Sequence, residues 1–306
     1  MTSISLLKQE ISRILPAFAI RAEEPLARHT SFRIGGPAEL MVFPRRVEEL
    51  SGVMACAAAH SVRPRILGAG TNVLAPDEGL RGLVIVTREA LMGLALRDGT
   101  QVEAMAGMSL AETAMFAARN RLSGLEFAHG IPGTVGGGLY MNAGAYGGEL
   151  CQVALRTEFM DLRGRCRWVE GAEQGFAYRS SAFQSMDGVI VRTVFALTPG
   201  DEKDIRARMQ ELAQKRRASQ PLELPSAGST FKRPQGAYAA ALIDQAGLKG
   251  LRVGGAAVSE KHAGFVVNLG GATAADVLRL VELVQERVLA DSGFRLEPEV
   301  RLWGAE

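Results

Sequence analysis

Apolar residues recur along this chain with two different spacings, and the spacing predicts the elements. Short apolar runs bounded by turn formers predict strands at residues 40–43, 65–67, 83–86 and 102–104. Helical spacing predicts helices over 47–60 and 110–122, and Ser109 with Glu112 supplies a capping box for the second. Further strands are expected at 154–160, 165–168 and 189–197, with turns at Arg163-Gly164 and Asp187-Gly188. The first fifteen residues carry Lys8, Glu10 and Arg13 within an apolar pattern, which predicts an amphipathic helix and not a signal peptide. Strands that follow one another without intervening helices indicate an α+β chain with mixed sheets.

The pattern changes at Thr198-Pro199-Gly200-Asp201. A charged helix is expected over 202–217, then a segment rich in Pro, Ser and Gly over 219–234. Helices at 238–246 and 274–290 and a strand at 264–268 follow, with Thr273 as N-cap of the long helix and Gly293 as its stop. A last strand is expected over 294–303. A boundary near Pro199 divides the chain into two domains, 1–199 and 200–306, in keeping with its 306 residues. No internal repeat or low-complexity tract is apparent.

Composition narrows the function. A net charge of +2 implies no strong field for nucleic acid or an anionic membrane. The longest apolar run, near 53–59, is too short to span a bilayer. Cys56, Cys151 and Cys166 are odd in number and far apart, so neither a disulfide framework nor a thiolate metal site is indicated. His29, His60, His129 and His262 show no metal-ligand spacing, and no metal is expected. A reducing cytoplasm is the simplest location.

The chemistry concentrates in two small-residue stretches. Residues 130–148 read GIPGTVGGGLYMNAGAYGG, with eight glycines among nineteen residues. Residues 67–74 read LGAGTNVL and follow a short strand. Glycine lets bare backbone N–H groups approach a ligand, and successive N–H groups form nests for anions. Val73 stands where a dinucleotide fingerprint requires glycine, and neither stretch continues as Gly-Lys-Ser/Thr. The remaining reading is a diphosphate cradled between two loops, hence a nucleotide-type cofactor.

Taken with these loops, the motifs HTSFRIGG (29–36), YRSSAF (178–183), AGSTFKRP (227–234), GLKGLRVGGAAVSEKHAGFVVN (247–268) and EPEVR (297–301) occur in one order along nearly the whole chain. In this order the chain resembles the UDP-N-acetylenolpyruvoylglucosamine reductases, in the shorter form without a substrate-capping insertion. The resemblance implies an FAD-binding domain of the vanillyl-alcohol-oxidase type over 1–199 and a smaller α+β substrate-binding domain over 200–306. It implies non-covalent FAD, NADPH as reductant, and production of UDP-N-acetylmuramate for peptidoglycan, on which cell shape and division depend. NADPH would reduce the flavin, and the flavin would deliver hydride to the enolpyruvyl methylene carbon.

The same resemblance implies the site. Gly68, Ala69, Gly70, Thr71, Asn72, Val73 and Leu74 would contact FAD, as would Gly130, Ile131, Pro132, Gly133, Thr134, Gly136 and Gly137, with Asn142, Ala143 and Gly144 beyond them. Ser229 matches the proton donor, Arg179 the catalytic arginine and Glu299 the catalytic glutamate. A guanidinium fork suits a carboxylate and its enediolate. Glu297 lies two residues before Glu299 on the same face of the expected strand and is the alternative. Lys232, Lys215 and Arg216 are candidate cations for the UDP diphosphate, although a basic cluster at 215–217 also complements a helix end. His262 is the remaining candidate for substrate contact. Arg33, Gly35 and Gly36 belong to a motif without a defined role. Another flavin oxidoreductase on the same fold, or a flavin-binding module without catalysis, are the competing readings.

Overall fold

Most of the buried apolar positions among the described residues fall into two large cores, with a small cluster of Ala257, Phe265 and Val267 beside them. A computed structural model describes residues 3–304 apart from Glu89. Met1 and Thr2, at the start of the expected amphipathic helix, lie outside the described residues. One compact unit comprises Met1–Glu23, Glu39–Ala69 and Arg81–Lys215; the other comprises Glu24–Ala38, Gly70–Leu80 and Arg216–Glu306.

The first unit holds helices α1 (Ser3–Ile11), α2 (Val47–Ala59), α3 (Leu110–Arg119), α4 (Val135–Tyr140) and most of α5 (Glu202–Ser219). Its larger sheet is antiparallel, in the order Cys166–Glu170, Ala154–Asp161, Gly188–Ala196, Gln101–Met105, Leu94–Arg97. A second sheet runs Ile20–Pro25, Pro37–Val42, Leu80–Val86, Arg65–Leu67, the last pair parallel. The Ser109 hydroxyl accepts from the Glu112 N–H at 3.0 Å and the capping box is complete. Helix α3 stops at Arg119, short of the expected 122, because Arg121 takes a left-handed φ of 55° and Leu122–Ser123 then pairs with Thr198–Pro199.

That pairing also explains the difference from a boundary at 199/200. The break at Thr198-Pro199 is a strand and turn of the first unit, and α5 buries Ile205, Met209 and Leu212 in the first core. After its two early excursions, the chain passes into the second unit for the last time at Arg216. Phe32, Ile34 and Leu74, from the two early excursions, belong to the second core.

The second unit contains α6 (Ala239–Gln245), α7 (Ala274–Ser292) and an antiparallel sheet. Its order is Ser226–Ser229, Phe265–Asn268, Ala256–Val258, Arg252–Val253. Helix α7 begins at a complete capping box between Thr273 and Asp276 and ends at Gly293, as its sequence predicts. The Asp77 carboxylate accepts from the N–H groups of Ala274 (2.7 Å) and Ala275 (3.1 Å), so an excursion segment caps the same helix. Asn268 donates its side-chain amide to the Phe32 carbonyl at 3.0 Å and anchors the other.

The final strand is shorter than expected. Only Arg301–Leu302 is a strand, parallel to Val73–Leu74. Upstream, the chain makes a single bridge, Phe231 opposite Pro298. The two hydrogen bonds of that bridge come from its flanking residues, Lys232 N–H to the Glu297 carbonyl and Glu299 N–H to the Thr230 carbonyl, both 2.8 Å.

Candidate active site

The glycine run does not form the open loop its composition suggests. Thr134 N-caps α4, its hydroxyl accepting from the Gly137 N–H at 3.2 Å. The Gly136 N–H donates to the Ala106 carbonyl (3.0 Å) and the Gly138 N–H to Thr134 (2.8 Å). These amides are therefore committed. A Cβ at Gly136 would lie 3.0 Å from that of Ala106, and one at Gly148 would collide with the Phe127 ring. Most glycines of the run are close-packing positions, a correction to the reading of the whole run as an anion nest.

The open donors lie at the edges. Among the described residues, the N–H groups of Gly68, Ala69, Gly133 and Thr134 have no acceptor within the protein. A Cβ at Gly68 would sit 2.5 Å from the Thr134 hydroxyl, so the two stretches meet there and only glycine fits. Adjacent uncommitted amides beside a position that excludes any side chain suit a diphosphate.

Arg179 is held against the same run. Its guanidinium donates to the Gly144 carbonyl at 3.2 Å and lies 5.0 Å from the centre of the Tyr178 ring. Its φ of 54° is left-handed, a backbone state costing on the order of 1 kcal/mol for a side-chain-bearing residue. The neighbours that enforce it escaped the sequence reading. Ser181 Oγ and Gln184 Nε2 both donate to the Tyr140 carbonyl (2.8 and 2.9 Å), and Gln184 also donates to the Arg179 carbonyl at 3.1 Å. Buried Asn142 donates to the Ala177 carbonyl at 3.0 Å.

In the second unit, residues of five motifs converge. Ser226 pairs with Val267 and Ser229 with Phe265, so two residues oppose one and the strand bulges. Gly228 takes φ +76° in this bulge. A bulge re-aims the side chain beside it: Ser229 is exposed between buried Ala227 and buried Thr230. Thr230 locks the corner, donating its N–H to Gly264 and accepting the Val266 N–H on its hydroxyl. The Glu299 N–H donates to the Thr230 carbonyl at 2.8 Å, which sets Glu299 across from the residue after Ser229. Asn72 donates its side-chain amide to the Glu299 carbonyl at 3.2 Å. Ser31, also unremarked in the sequence, donates its N–H to the Gly70 carbonyl (3.0 Å) and its hydroxyl to the Ser226 carbonyl (2.6 Å).

The remaining candidates separate. Lys232 pairs with Glu297 at 3.2 Å, which engages the alternative carboxylate while Glu299 is half-buried. Lys215 pairs with Glu211 one turn back on α5 at 2.6 Å and closes the first unit, whereas Arg216 opens the second. His262 Nδ1 accepts from the Gly264 N–H at 3.1 Å, and its ring packs edge-on to Phe265. Burial lowers the His262 pKa, against a backbone hydrogen bond that raises it and with Lys249 adding to the lowering. No helix among the described residues is long and apolar enough to cross a membrane, and no group of three His, Cys, Asp or Glu residues there could hold a metal ion.

Residues 38–170 match the family described as an FAD binding domain, and residues 220–303 match the C-terminal domain of UDP-N-acetylenolpyruvoylglucosamine reductase. The chain is 45% identical over 301 residues to the UDP-N-acetylenolpyruvoylglucosamine reductase of Levilactobacillus brevis, covering 98% of each. It is 48% identical over 285 residues to UDP-N-acetylenolpyruvoylglucosamine reductase 2 of Symbiobacterium thermophilum, covering 93% of this chain and 92% of that one. The crystal structure of the Thermus caldophilus reductase superposes with a TM-score of 0.79 at 37% identity, over 93% of this chain and 99% of that one. The fold is α+β, an FAD-binding domain with a smaller C-terminal α+β domain.

Proposed function

The chain belongs to the UDP-N-acetylenolpyruvoylglucosamine reductase family, and from that premise we propose that it reduces UDP-N-acetylglucosamine enolpyruvate to UDP-N-acetylmuramate with NADPH. It is an FAD-dependent oxidoreductase. The reaction contributes to peptidoglycan precursor synthesis, in the cytoplasm, on small molecules and without nucleic acid.

FAD would be held non-covalently by residues 68–71, 73 and 74 and by 130–137 with Asn142, Ala143 and Gly144, and when bound would supply hydride transfer from NADPH to the enolpyruvyl methylene carbon. The open N–H groups of Gly68, Ala69, Gly133 and Thr134 would donate to its diphosphate. Hydride addition leaves negative charge on the neighbouring substrate carbon, spread into the carboxylate. Arg179 offers a planar fork to that carboxylate, and its contact with Gly144 fixes where the fork sits. Ser229 donates the proton that completes the product, from an exposed bulge position where a solvent relay can resupply it. Glu299 serves the same carbon from the neighbouring segment. Lys232, Lys215, Arg216 and His262 are assigned to the UDP-sugar.

The observation that carries this reading is the hydrogen bond from Glu299 N–H to the Thr230 carbonyl. It holds two groups of the proposed reaction on adjacent segments of one unit.

The test is anaerobic. Stoichiometric NADPH should bleach the yellow flavin, and UDP-N-acetylglucosamine enolpyruvate should restore the colour. In Ser229→Ala, bleaching should persist and recolouring should slow by roughly 100-fold or more, the usual weight of a positioned proton donor. Equal slowing of both steps would remove Ser229 from that role. Bleaching without recolouring in the unmodified protein would discard the substrate.

A further inference from the structure

Glu299 lies on a segment with no strand of its own, between the isolated bridge at Pro298 and the short strand Arg301–Leu302. Its backbone is nevertheless gripped from two sides. On one side its N–H donates to Thr230. On the other, Asn72 brackets it: the Asn72 side-chain amide donates to the Glu299 carbonyl at 3.2 Å, and the Asn72 carbonyl accepts the Arg301 N–H at 2.9 Å. The parallel pair of Val73–Leu74 with Arg301–Leu302 begins at the next residue of each segment. One side chain thus stands in for a ladder bond where the segment has no strand to make it.

We propose that the Asn72 side chain is a positioning group for Glu299, fixing the peptide that follows it and with it the direction of the carboxylate, and is not itself a cofactor ligand. The inference rests on the reading of Glu299 given above. With its carbonyl oxygen held by Asn72 and its N–H held by Thr230, the Glu299 peptide planes cannot rotate, so the Cα–Cβ direction is set from the backbone. A displacement of about 1 Å at a reacting group costs on the order of 100-fold in rate. The Asn72 side-chain amide and main-chain carbonyl are both committed to this C-terminal segment.

The experiment uses the FAD-loaded enzyme carrying Asn72→Asp, Glu299→Gln, or both. Aspartate keeps the shape but at neutral pH has no proton to donate to the Glu299 carbonyl. Asn72→Ala, which removes the donor without adding charge, is the second variant should Asn72→Asp fail to fold. Three readouts are taken: FAD affinity, bleaching by NADPH, and recolouring by UDP-N-acetylglucosamine enolpyruvate. FAD affinity and bleaching should stay within about twofold and recolouring should slow at least about tenfold; in the Glu299→Gln background the Asn72 change should add less than about twofold, because residues acting as a unit are non-additive. Loss of FAD, slowed bleaching, or full multiplication of the two effects would overturn the proposal. A slow Glu299→Gln with a normal Asn72→Asp would overturn it while leaving the reading of Glu299 intact. A Glu299→Gln that recolours at the unmodified rate would overturn both.

Discussion

Residues 67–71 and 136–148 are both dominated by small residues, yet they use them in opposite ways. In 136–148 the N–H groups of Gly136, Gly137 and Gly138 are committed within the protein, and Gly136 and Gly148 lie where a Cβ would crowd Ala106 or strike Phe127. In 67–71 the N–H groups of Gly68, Ala69 and Gly70 have no acceptor among the described residues. Glycine content is the same signal in both. The destination of the backbone N–H groups separates them: a buried polar group unpaired in the protein awaits a partner, whereas a paired one is already structure.

That contrast can be broken. The largest effect is expected at Gly148. Gly148→Ala drives a methyl into the Phe127 ring, an overpacking that costs about 3 kcal/mol. Thermal denaturation should show Tm falling by roughly 6 °C or more, with FAD affinity of the folded protein preserved. An unchanged Tm with lost FAD would reverse the comparison. Next, Gly68→Ala should weaken FAD roughly tenfold, about 1.4 kcal/mol, because the new Cβ presses on the Thr134 hydroxyl at the meeting point of the two stretches. Tm of the apoprotein should fall less than in Gly148→Ala, because the contact falls on the Thr134 hydroxyl and not on a ring, and a flavin titration unaffected by the change would remove the cradle from residues 68–69. The smallest effect is expected at Gly228, a third use of glycine. Nothing lies within 4 Å of a Cβ there, so Gly228→Ala is charged only for its φ of +76°, about 1 kcal/mol by urea denaturation. A loss well above that would mean the bulge is crowded and not merely twisted.

Local signals were legible and long-range ones were not. The capping box at Ser109, the N-cap at Thr273 and most strands could be read because each depends on residues within a few positions. The hairpin joining Leu94–Arg97 to Gln101–Met105 was missed although Asp98-Gly99 announces it, with Asp98 at φ 47°. The early excursions into the second unit could not be read, since nothing near Phe32 or Leu74 indicates that their core partners come from beyond residue 220. The candidate site divides likewise. Motif residues stand out as motifs, but Ser181 and Gln184 gain their meaning from the Tyr140 carbonyl, and Asn72 from a residue 227 positions away. Side chains that hold other groups in place carry no local signature.

The Asp77 cap on α7 has a consequence for the order of assembly during synthesis. Its carboxylate must wait for N–H groups 197 and 198 residues further along, and the Phe32 carbonyl must wait 236 residues for Asn268. Chains fold as units while they emerge, and non-local contacts close late. On the ribosome, the first unit can therefore gather its core once α5 has appeared, whereas Glu24–Ala38 and Gly70–Leu80 remain without their partners until the last third of the chain has been made. Throughout that interval, Phe32, Ile34 and Leu74 are the apolar surface a chaperone would meet.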